Sequence, residues 1–562
     1  MKTNYSGWSK DELIKELEKI GKRKKYGLVW DDKPEEVAEI CKVKFPVLKE
    51  DVNREIKTDD KDLTNIMIEG DNYHALSVLN YTHKESIDVI YIDPPYNTGA
   101  RDWKYNNNFV DAEDPYRHSK WIAFMNKRLK LAKNLLTEKG IICVTIDDYE
   151  LPRLWMLMEE IFGENNYLGT AAIRINPGGR KSKRKLAAQH EYALFFSRTS
   201  KAKVSPIVKP IEEKTHKYLK DQDGEYYEER NLRKEGADSL AKDGSNRYYE
   251  IYYDPDTGKL STKEKYPVSI KPIDTKGKKR IWRRDKSVID DMSAKGEVFV
   301  KNTKFGLQIY FKFKGGTSGE TPKSFWADKE FSAGEHGTQM LNKILGEGEI
   351  FPFPKSPYAT ARCIEVASSK KDAIVLDFFA GSGTTAQSTM LLNKKDGGRR
   401  KFILCTNNEN GIAENVCYIR VKNLIEGYSY NENSYQGMGG NLKYYLTDTV
   451  DAVATDKNKE NLVIKSTEML CLKEDCFNLI KKEKYFKIFN NANERYLGII
   501  FDEEGFEPFK KEIKNIDKKI NLYVFSLDES AHEEEFEDFS KQLELKPIPA
   551  AILNVYRRIF KG

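Results

Sequence analysis

The chain has 562 residues and a formal net charge of +6, with 94 Lys and Arg against 88 Asp and Glu. At this length we expect roughly two to four domains. No stretch approaches the roughly 20 consecutive apolar residues of a membrane-spanning helix, and the amino terminus lacks an apolar signal region. These features argue against a helical membrane protein and predict a cytoplasmic one.

Seven cysteines are scattered along the chain without a Cys-x-x-Cys pair: Cys41, Cys143, Cys363, Cys405, Cys417, Cys471 and Cys476. Most lie in apolar, strand-like contexts, which is typical of buried thiols in a reducing compartment. The seven histidines form no ligand pair with them. We therefore expect neither disulfides nor a structural metal site.

Taken in chain order, residues 9–60 are polar and mostly helical in pattern, and we predict an amino-terminal helical extension over 1–60. From residue 61 short apolar runs alternate with segments of helical spacing. Strands are expected at 66–71, 87–92 and 140–147, helices at 72–80, 121–137 and 151–162, and a last apolar segment at 192–196. This alternation is typical of a doubly wound, mostly parallel sheet, of which the first half is assigned to 61–199.

The alternation stops between residues 200 and 345, where Lys, Tyr, Gly and Asp are frequent. It returns over 346–446, with strands expected at 373–377 and 401–406. Residues 447–562 again have an α/β texture and are expected to form a separate carboxy-terminal domain. The sequence thus predicts an α/β protein with an inserted domain that is basic and mixed or β-rich.

Basic residues cluster at two places in the middle of the chain. The first cluster surrounds Pro177-Gly178-Gly179 and consists of Arg174, Arg180, Lys181, Lys183, Arg184 and Lys185. The second cluster, residues 276–284, places Trp282 among lysines and arginines. Either run alone also fits a solvated surface, but their position favours a polyanion as partner for the middle of the chain.

The segment Asp93-Pro94-Pro95-Tyr96 directly follows the apolar run 87–92. This pattern predicts a buried strand that ends at the Asp93 carboxylate and continues into a rigid turn. The turn is rigid because each proline fixes φ at roughly −65° and lacks an N–H. The carboxylate and the outward carbonyls offer acceptors for an amino group, and the tyrosine offers a face for stacking. On the four residues alone, an ordinary Asp-Pro turn is also a valid interpretation.

A second pattern, Asp377-Phe378-Phe379-Ala380-Gly381-Ser382-Gly383-Thr384, predicts a strand, a glycine turn and a helix. The glycines allow a ligand to approach the backbone, and the helix start offers free N–H groups. Glu409 follows the next expected strand, where dinucleotide-type folds place an acid on ribose hydroxyls. No Gly-Lys-Ser/Thr follows the glycines, which disfavours a P-loop.

Together these motifs resemble the β class of S-adenosylmethionine-dependent amino methyltransferases, in which the Asp-Pro-Pro-Tyr segment precedes the Phe-x-Gly-x-Gly segment. The resemblance implies a Rossmann-like sheet with circularly permuted motif order and a target-recognition domain between its halves. Gly70-Asp71-Asn72 and the Pro-Lys element within 351–355 also resemble this family. The residues implied to bind S-adenosylmethionine are Asp71, Asp377, Phe379, Gly381, Gly383, Thr384 and Glu409.

The resemblance also implies methyl transfer to N6 of an adenine that is flipped out of duplex DNA. Asp93 and the Pro94 carbonyl would accept the N6 hydrogens, and Tyr96 would stack on the base. An acid at the first position favours adenine, because cytosine-N4 enzymes of this family usually have serine there. His190 and Tyr192 are further candidates for the rim of the base pocket, although packing roles explain them more simply.

Residues 25–30, 545–553 and His190-Glu191-Tyr192 are similar to modification (Mod) subunits of type III restriction systems. That similarity implies a homodimer and a helicase-nuclease (Res) partner, with the carboxy-terminal region 447–562 as the contact. Residues 200–345 would recognise the DNA, through salt-dependent backbone contacts and a few base contacts. The recognition sequence cannot be read from the chain.

Three alternatives stay open at this point. The first is a solitary adenine methyltransferase without a restriction partner. The second keeps the enzyme class but changes the substrate to cytosine N4, RNA or a protein glutamine amide. The third is a DNA-binding specificity subunit whose active site has decayed, against which the intact motif residues count: Asp93, Tyr96, Phe379, Gly381 and Glu409.

Overall fold

A computed structural model describes residues 9–21, 30, 32–59, 61–179, 186–208, 218–221, 223–224, 226–236, 238–243, 245–314, 319–346, 351–453, 455–527 and 530–560. Most of the first basic cluster, residues 180–185, lies outside the described residues. Within the described ranges, no helix is both long and apolar enough to cross a membrane. All seven cysteines are free and buried, as their apolar contexts predicted.

The strands and helices are numbered in chain order. The strands are β1 Lys44–Glu50, β2 Thr64–Glu69, β3 Ile87–Ile92, β4 Ala100–Tyr105, β5 Asn108–Asp111, β6 Leu136–Ile146, β7 Tyr167–Arg174, β8 His190–Ser197, β9 Tyr218–Lys220, β10 Tyr226–Asn231, β11 Ile251–Tyr253, β12 Leu260–Ser261, β13 Val268–Ile270, β14 Val298–Thr303, β15 Gly306–Phe313, β16 Phe325–Trp326, β17 Ile374–Asp377, β18 Lys401–Thr406, β19 Gly427–Tyr430, β20 Asn433–Gln436, β21 Asn441–Asp451, β22 Asn478–Lys482, β23 Phe486–Asn490, β24 Tyr496–Ile500, β25 Ile520–Phe525 and β26 Leu543–Ile548. The helices are α1 Lys10–Gly21, α2 Glu36–Ile40, α3 Asn72–Thr82, α4 Arg117–Leu135, α5 Leu151–Phe162, α6 Lys286–Ala294, α7 Gln339–Leu345, α8 Pro357–Ala367, α9 Thr384–Asp396, α10 Ile419–Glu426, α11 Asp456–Ile464, α12 Thr467–Glu474, α13 Phe506–Ile513 and α14 Ala550–Phe560.

In the described part of the chain, ten strands form one large sheet in the order β1-β21-β2-β18-β17-β3-β6-β8-β7-β16. The central strands β2, β18, β17, β3 and β6 run parallel, and β8 pairs antiparallel with β6. Each of these central strands contains an apolar, buried stretch, as expected when helices cover both faces of a parallel sheet. The predicted α/β class with a mostly parallel sheet is confirmed.

Two segments that are distant in sequence meet at the carboxyl edge of this sheet. β17 pairs in parallel with β3, so that Val375 lies beside Val89 and Leu376 beside Ile90. The Asp-Pro-Pro-Tyr segment follows β3, and the glycine motif follows β17. Because neighbouring parallel strands end at the same edge, the sheet places the two motifs side by side.

Among its described residues, the amino-terminal region contains a strand where the sequence predicts a helical extension. Residues 44–50 form β1, which pairs antiparallel with β21 at the end of the large sheet. Phe45, Val47 and Leu48 are buried there. An edge strand tolerates Pro46, which has no N–H to donate. The burial of these apolar side chains against the sheet outweighs the helical pattern of the surrounding residues.

The carboxy-terminal residues form a five-stranded sheet in the order β22-β23-β24-β25-β26. α14 follows this sheet and packs on β1, with the rings of Tyr556 and Phe45 5.1 Å apart. Residues 1–205 and 323–562 together form one compact unit. The predicted boundary after residue 446 falls inside β21, so a continuous strand of the large sheet, rather than a linker, leads into this region.

Residues 206–322 form the second compact unit. Its strands make a four-stranded sheet, β14-β15-β10-β9, and a three-stranded sheet, β12-β11-β13. Trp282 is 2% exposed in the core of this unit, and its Nε1 donates to the Tyr249 carbonyl at 2.8 Å. The tryptophan of the second basic cluster therefore stabilises the fold, while the lysines around it stay exposed. DNA recognition by residues 200–345 stays a prediction, as do the other domain assignments.

Candidate active site

The Asp93 carboxylate receives contacts from its own turn and from two other parts of the chain. The Thr145 hydroxyl of β6 donates to Oδ1 at 2.8 Å, and the Tyr96 hydroxyl lies 2.9 Å from the same oxygen. The Lys355 ammonium is 3.1 Å from Oδ1 as well. All three contacts are made to Oδ1, and none of them involves the other oxygen, Oδ2.

Lys355 and Glu191 complete a buried polar network around the Tyr96 hydroxyl. Nζ of Lys355 lies 2.8 Å from Oε2 of Glu191 and also contacts the Tyr96 hydroxyl. That hydroxyl is 2.9 Å from the same Glu191 oxygen. The Glu191 side chain is 2% exposed, although an isolated buried carboxylate would be unfavourable. The Lys355 ammonium lies between the Asp93 and Glu191 carboxylates and offsets their mutual repulsion.

The pKa shifts of these groups agree with the contacts. Burial lowers the pKa of Lys355, but the Asp93 and Glu191 carboxylates outweigh burial and raise that pKa above its ordinary value. Burial raises the pKa of the Glu191 carboxyl, and Lys355 opposes the change. Burial also raises the pKa of the Tyr96 hydroxyl, and both carboxylates add to the effect. The Lys355 side chain therefore stays protonated, and the Tyr96 hydroxyl stays neutral and can donate a hydrogen bond.

Side chains from α4 and from the start of α5 hold the Asp-Pro-Pro-Tyr turn through hydrogen bonds. Trp121 of α4 donates its Nε1 to the Pro95 carbonyl at 2.7 Å. Asn97 has a left-handed φ of 56°, and its Nδ2 donates to Oε1 of Glu150 at 2.5 Å. Glu150 is fully buried and also contacts Nδ1 of His118. These partners come from α4 and the start of α5, and sequence reasoning missed them because nothing near the motif points to them.

His190 and Tyr192 lie on the opposite face of β8 from Glu191, because successive side chains of a strand alternate between faces. Nε2 of His190 is 2.9 Å from the Tyr192 hydroxyl, and the two rings meet edge to face at 4.9 Å. The structure thus keeps this pair out of the network around Asp93, and its place at the pocket rim stays a prediction. Sequence reasoning did not select Glu191, which lies between them in the chain. A charged residue at the start of an apolar strand was the feature that could have indicated it.

The glycine motif forms the predicted strand, turn and helix. Asp377 ends β17 and accepts two hydrogen bonds from its own motif. The Phe379 N–H donates to Oδ1 at 2.9 Å, and the Thr385 hydroxyl donates to Oδ2 at 2.5 Å. Asp377 is 3% exposed, and burial raises the pKa of its carboxyl to about 7. Both oxygens of this carboxyl thus hold the turn, and cofactor binding by Asp377 stays a prediction.

Gly381 and Gly383 supply the backbone conformation of the turn. Their φ angles are 49° and 77°, in the left-handed region that favours glycine. A Cβ on Gly383 would lie 3.0 Å from the sulfur of Cys417, so this position is also crowded. A turn with bare backbone beside the half-buried Phe379 suits a ligand that approaches the main chain closely.

Arg420 of α10 holds the glycine turn from inside the protein, and sequence reasoning did not single it out. Its Nη1 donates to the Ser382 carbonyl at 3.2 Å and to the Thr384 hydroxyl at 2.9 Å. Its Nη2 donates to Oε1 of Gln387 at 2.6 Å. Burial lowers the pKa of the guanidinium to about 10, so the group remains charged at neutral pH. Each buried donor has an acceptor in the turn or in α9.

Asp71 and Glu409 follow the neighbouring parallel strands β2 and β18. Asp71 caps α3 by accepting from the Tyr73 N–H at 2.7 Å, and its Oδ1 lies 3.3 Å from Nη2 of Arg128. Oε1 of Glu409 is 2.5 Å from Nζ of Lys104. The two side chains are 42% and 31% exposed, so each keeps surface available at this edge of the sheet.

One edge of the sheet therefore carries an acceptor turn after β3, a glycine turn after β17 and an acid after each of β18 and β2. Open α/β sheets bind their ligands at this edge. No group of three or more His, Cys, Asp or Glu side chains among the described residues is arranged to hold a metal ion. The fold and the site define an S-adenosylmethionine-dependent methyltransferase.

Comparison with known proteins identifies the family. Residues 87–419 match the family model described as DNA methylase, N6_N4_Mtase. That range is more than half of the chain and includes both motifs. The chain belongs to this family of DNA methyltransferases, which use S-adenosylmethionine as the methyl donor.

Similar proteins include the type II methyltransferase M.KpnI from Klebsiella pneumoniae, which is 35% identical over 62% of this chain and 82% of its own length. The type III EcoPI Mod subunit from Escherichia phage P1 and the StyLTI Mod subunit from Salmonella typhimurium are each 28% identical over about two thirds of this chain. The chain spans 60% and 57% of the length of those two relatives. Among solved structures, the cytosine-N4-specific PvuII DNA methyltransferase matches 65% of this chain and 90% of its own, at 14% identity and a TM-score of 0.32.

Proposed function

We propose that this DNA methyltransferase transfers the methyl group of S-adenosylmethionine to N6 of an adenine that is flipped out of duplex DNA. The observation that carries the proposal is the Asp93 carboxylate at the end of β3. Thr145, Tyr96 and Lys355 all contact its Oδ1, which leaves Oδ2 for the amino group of the target base. The Pro94 carbonyl is the second acceptor.

The chemistry of the target explains the need for two acceptors. The exocyclic amine of adenine is a poor nucleophile because its lone pair is delocalised into the ring. Asp93 and the Pro94 carbonyl would accept its two hydrogens and favour a tetrahedral nitrogen, so that the lone pair points out of the ring plane. S-adenosylmethionine, when bound, supplies a methyl carbon on a positively charged sulfur. Asp93 needs no unusual basicity, since the amine loses its proton only as the new C–N bond forms.

The described residues fit this cofactor. Gly381 and Gly383 keep the backbone bare, and the half-buried Phe379 precedes them in the same motif. The exposed oxygens of Asp71 and Glu409 are suited to cofactor ammonium and hydroxyl groups. Thr384 would contribute through the start of α9, where backbone N–H groups lack helical acceptors. Asp377 would act through the shape of the turn.

Adenine is preferred over cytosine because an acid occupies position 93, where the cytosine-N4 enzymes of this family usually have serine. Incubation with unmethylated DNA and S-adenosylmethionine, followed by mass spectrometry of the nucleosides, tests the choice. We expect 6-methyladenine. Formation of 4-methylcytosine would change the assigned base and keep the reaction class. Absence of any product, with no cofactor binding by calorimetry, would favour a decayed specificity subunit.

The chain further acts, in this proposal, as the modification subunit of a type III restriction system, with residues 206–322 in sequence recognition. Similarity to the EcoPI and StyLTI Mod subunits supports this role. Similarity to M.KpnI, a type II methyltransferase, supports as the alternative a methyltransferase outside a type III system. Purification of the tagged chain from its native cells should yield a dimer together with a helicase-nuclease subunit. Recovery of an active methyltransferase alone would favour the solitary enzyme.

A further inference from the structure

The hairpin formed by β4 and β5 contacts both halves of the active site. Nε1 of Trp103 donates to Oδ1 of Asn97, the residue after Tyr96, at 3.1 Å. The next residue along β4, Lys104, places its Nζ 2.5 Å from Oε1 of Glu409. The two neighbours reach different partners because successive side chains of a strand point to opposite faces. One short strand thus contacts the turn after β3 and the acid after β18.

Local sequence and packing fix this hairpin. Asn106 and Asn107 connect its strands with φ angles of 49° and 63°. Left-handed φ at both central residues is typical of the type I′ turn of tight hairpins, which favours asparagine. The Tyr105 hydroxyl donates to the Lys33 carbonyl at 2.6 Å, and Nδ2 of Asn106 donates to the Pro34 carbonyl at 3.0 Å. The hairpin is therefore held at its tip by the amino-terminal region.

Trp103 connects the hairpin to the turn that carries Asp93. It is 5% exposed, and its ring lies 5.3 Å from the ring of Phe124, which is 5.8 Å from the ring of Phe379 in the glycine motif. Its acceptor, Asn97, is fully buried and has a left-handed φ of 56°. That conformation is unfavourable for a residue with a Cβ, so surrounding contacts must hold it. The Trp103 hydrogen bond is one of these contacts.

Lys104 connects the hairpin to the proposed cofactor site. Its ion pair with Glu409 is made to Oε1 and does not involve Oε2. Its Nζ also lies 4.5 Å from the centre of the Phe109 ring across the hairpin, a favourable position for a cation. A glutamate side chain loses rotamer freedom when it binds a ligand. A lysine that already orients the carboxylate lowers that cost of binding.

We propose that Lys104 and Trp103 are positioning residues for methyl transfer, one for each half of the active site. Lys104 orients Glu409 toward the hydroxyl groups of the cofactor ribose. Trp103 orients the turn that receives the target base. Both act through another residue rather than on the reacting atoms. This inference rests on the proposed function, since it takes Glu409 as a cofactor ligand and the turn with Asp93 as the site of the target amine.

The test uses Lys104→Met and Trp103→Phe, which keep an apolar side chain and remove the ammonium or the indole N–H. Lys401→Met and Trp155→Phe are the matched controls. Lys401 forms an ion pair at the amino end of β18, and Trp155 donates its Nε1 within α5. Each control removes the same chemical group at a place outside the active site, so both should match the wild type in cofactor binding and in rate.

We expect Lys104→Met to weaken binding of S-adenosylhomocysteine in calorimetry by roughly tenfold, as for the loss of a hydrogen bond to a charged group. KM for S-adenosylmethionine should rise, with little change in kcat. Lys104→Arg keeps the cation and should bind like the wild type. The 2′,3′-dideoxy analogue of S-adenosylhomocysteine lacks the ribose hydroxyls, so the wild type and Lys104→Met should bind it equally. In a Glu409→Gln background, Lys104→Met should have no further effect.

Trp103→Phe should show the opposite division. Its single-turnover rate on unmethylated DNA should fall by roughly fivefold, in the range of one lost neutral hydrogen bond. Its affinity for S-adenosylhomocysteine should stay at the wild-type value. Melting temperatures of all variants check that they are folded. Lys104 is partly exposed and its variants keep the buried Trp103, so the Lys104 comparison decides the inference by itself if Trp103→Phe does not fold.

Three results would overturn the inference. Equal losses of affinity and rate in both hairpin variants would make the hairpin a structural support only. Weaker binding of the dideoxy analogue by Lys104→Met would remove the connection to the ribose hydroxyls. Tighter binding of S-adenosylhomocysteine by that variant would show that Lys104 competes with the cofactor for Glu409. Failure of the proposed function has a different signature, because Glu409→Gln alone would then leave cofactor affinity unchanged or the wild type would not methylate adenine.

Discussion

Two aspartates stand at the carboxyl ends of neighbouring parallel strands, and the structure uses them in opposite ways. Asp93 follows β3 and receives its contacts at Oδ1 from β6, from its own turn and from the distant Lys355. Asp377 ends β17, and both of its oxygens accept hydrogen bonds from the adjoining glycine turn and the start of α9. The Asp93 side chain is 26% exposed, whereas Asp377 is almost completely buried.

The comparison teaches that a carboxylate at the ligand edge of a sheet is not by itself a ligand-binding group. The glycine turn folds back over Asp377 and supplies one donor to each of its oxygens. The prolines after Asp93 have no N–H to offer, and the donors must come from other segments. Those donors converge on one oxygen, and in the proposed function the other oxygen binds the substrate. The predictions below test this division between a chemical and a structural aspartate.

The largest effect is expected for Asp93→Asn. The amide keeps the shape of the side chain but loses the charge that holds the target amine and favours its loss of a proton. Methyl transfer should fall by at least about a hundredfold. Cofactor binding by calorimetry and the melting temperature should stay close to the wild type. Full residual activity would contradict the assignment of Asp93.

Asp377→Ala should show the reverse pattern. The change leaves the Thr385 hydroxyl and the Phe379 N–H without their buried acceptor, which should lower the free energy of unfolding by about 1–3 kcal/mol. Denaturant unfolding measures the loss, and calorimetry should show weaker cofactor binding because the turn loosens. Thr385→Val is the matched variant, since it removes one donor together with its need for a partner. A stable Asp377→Ala protein that lacks only activity would make Asp377 a chemical group after all.

A smaller effect is expected for Glu191→Gln, which removes one charge from the network while keeping its shape. Lys355 would then interact with Asp93 alone and compete more strongly for its charge. We expect methyl transfer to fall by about tenfold, mostly in kcat, as for the loss of one well-placed electrostatic contact. Single-turnover kinetics would measure the change. Tyr192→Phe, on the opposite face of β8, should have little effect, and a comparable loss there would restore the predicted pocket role of Tyr192.

The pH dependence of stability is a separate test of the structural aspartate. Burial raises the pKa of Asp377 to about 7 in the folded protein, above the ordinary value of an unfolded aspartate. The folded state then binds more protons between about pH 4 and 7, so this group stabilises the fold at low pH and its contribution is lost as the pH rises through 7. The stability of the wild type relative to Asp377→Asn should therefore fall by about 1 kcal/mol per pH unit across this window. Denaturant titrations of both proteins at several pH values measure the slope, and a constant difference would contradict the shift.

Local patterns were sufficient for the parts of the fold and site that depend on a few adjacent residues. The strand before Asp93, the glycine turn with its two left-handed residues and the buried cysteines all follow from short-range rules about apolar runs, proline and glycine. The edge strand β1 did not follow, because its conformation depends on pairing with β21, about 400 residues further along the chain.

The amino-acid sequence by itself determined the family, the α/β class and the two motifs, since each is written in contiguous residues whose conformational preferences are local. The tertiary structure alone decided which side chains complete the site. Sheet register put Glu191, rather than His190 or Tyr192, on the side of Tyr96, and long-range packing brought Lys355, Glu150 and Arg420 to the turns that they hold. The physical reason is that a buried charge is stable only with partners, and those partners are chosen by proximity in space rather than in sequence.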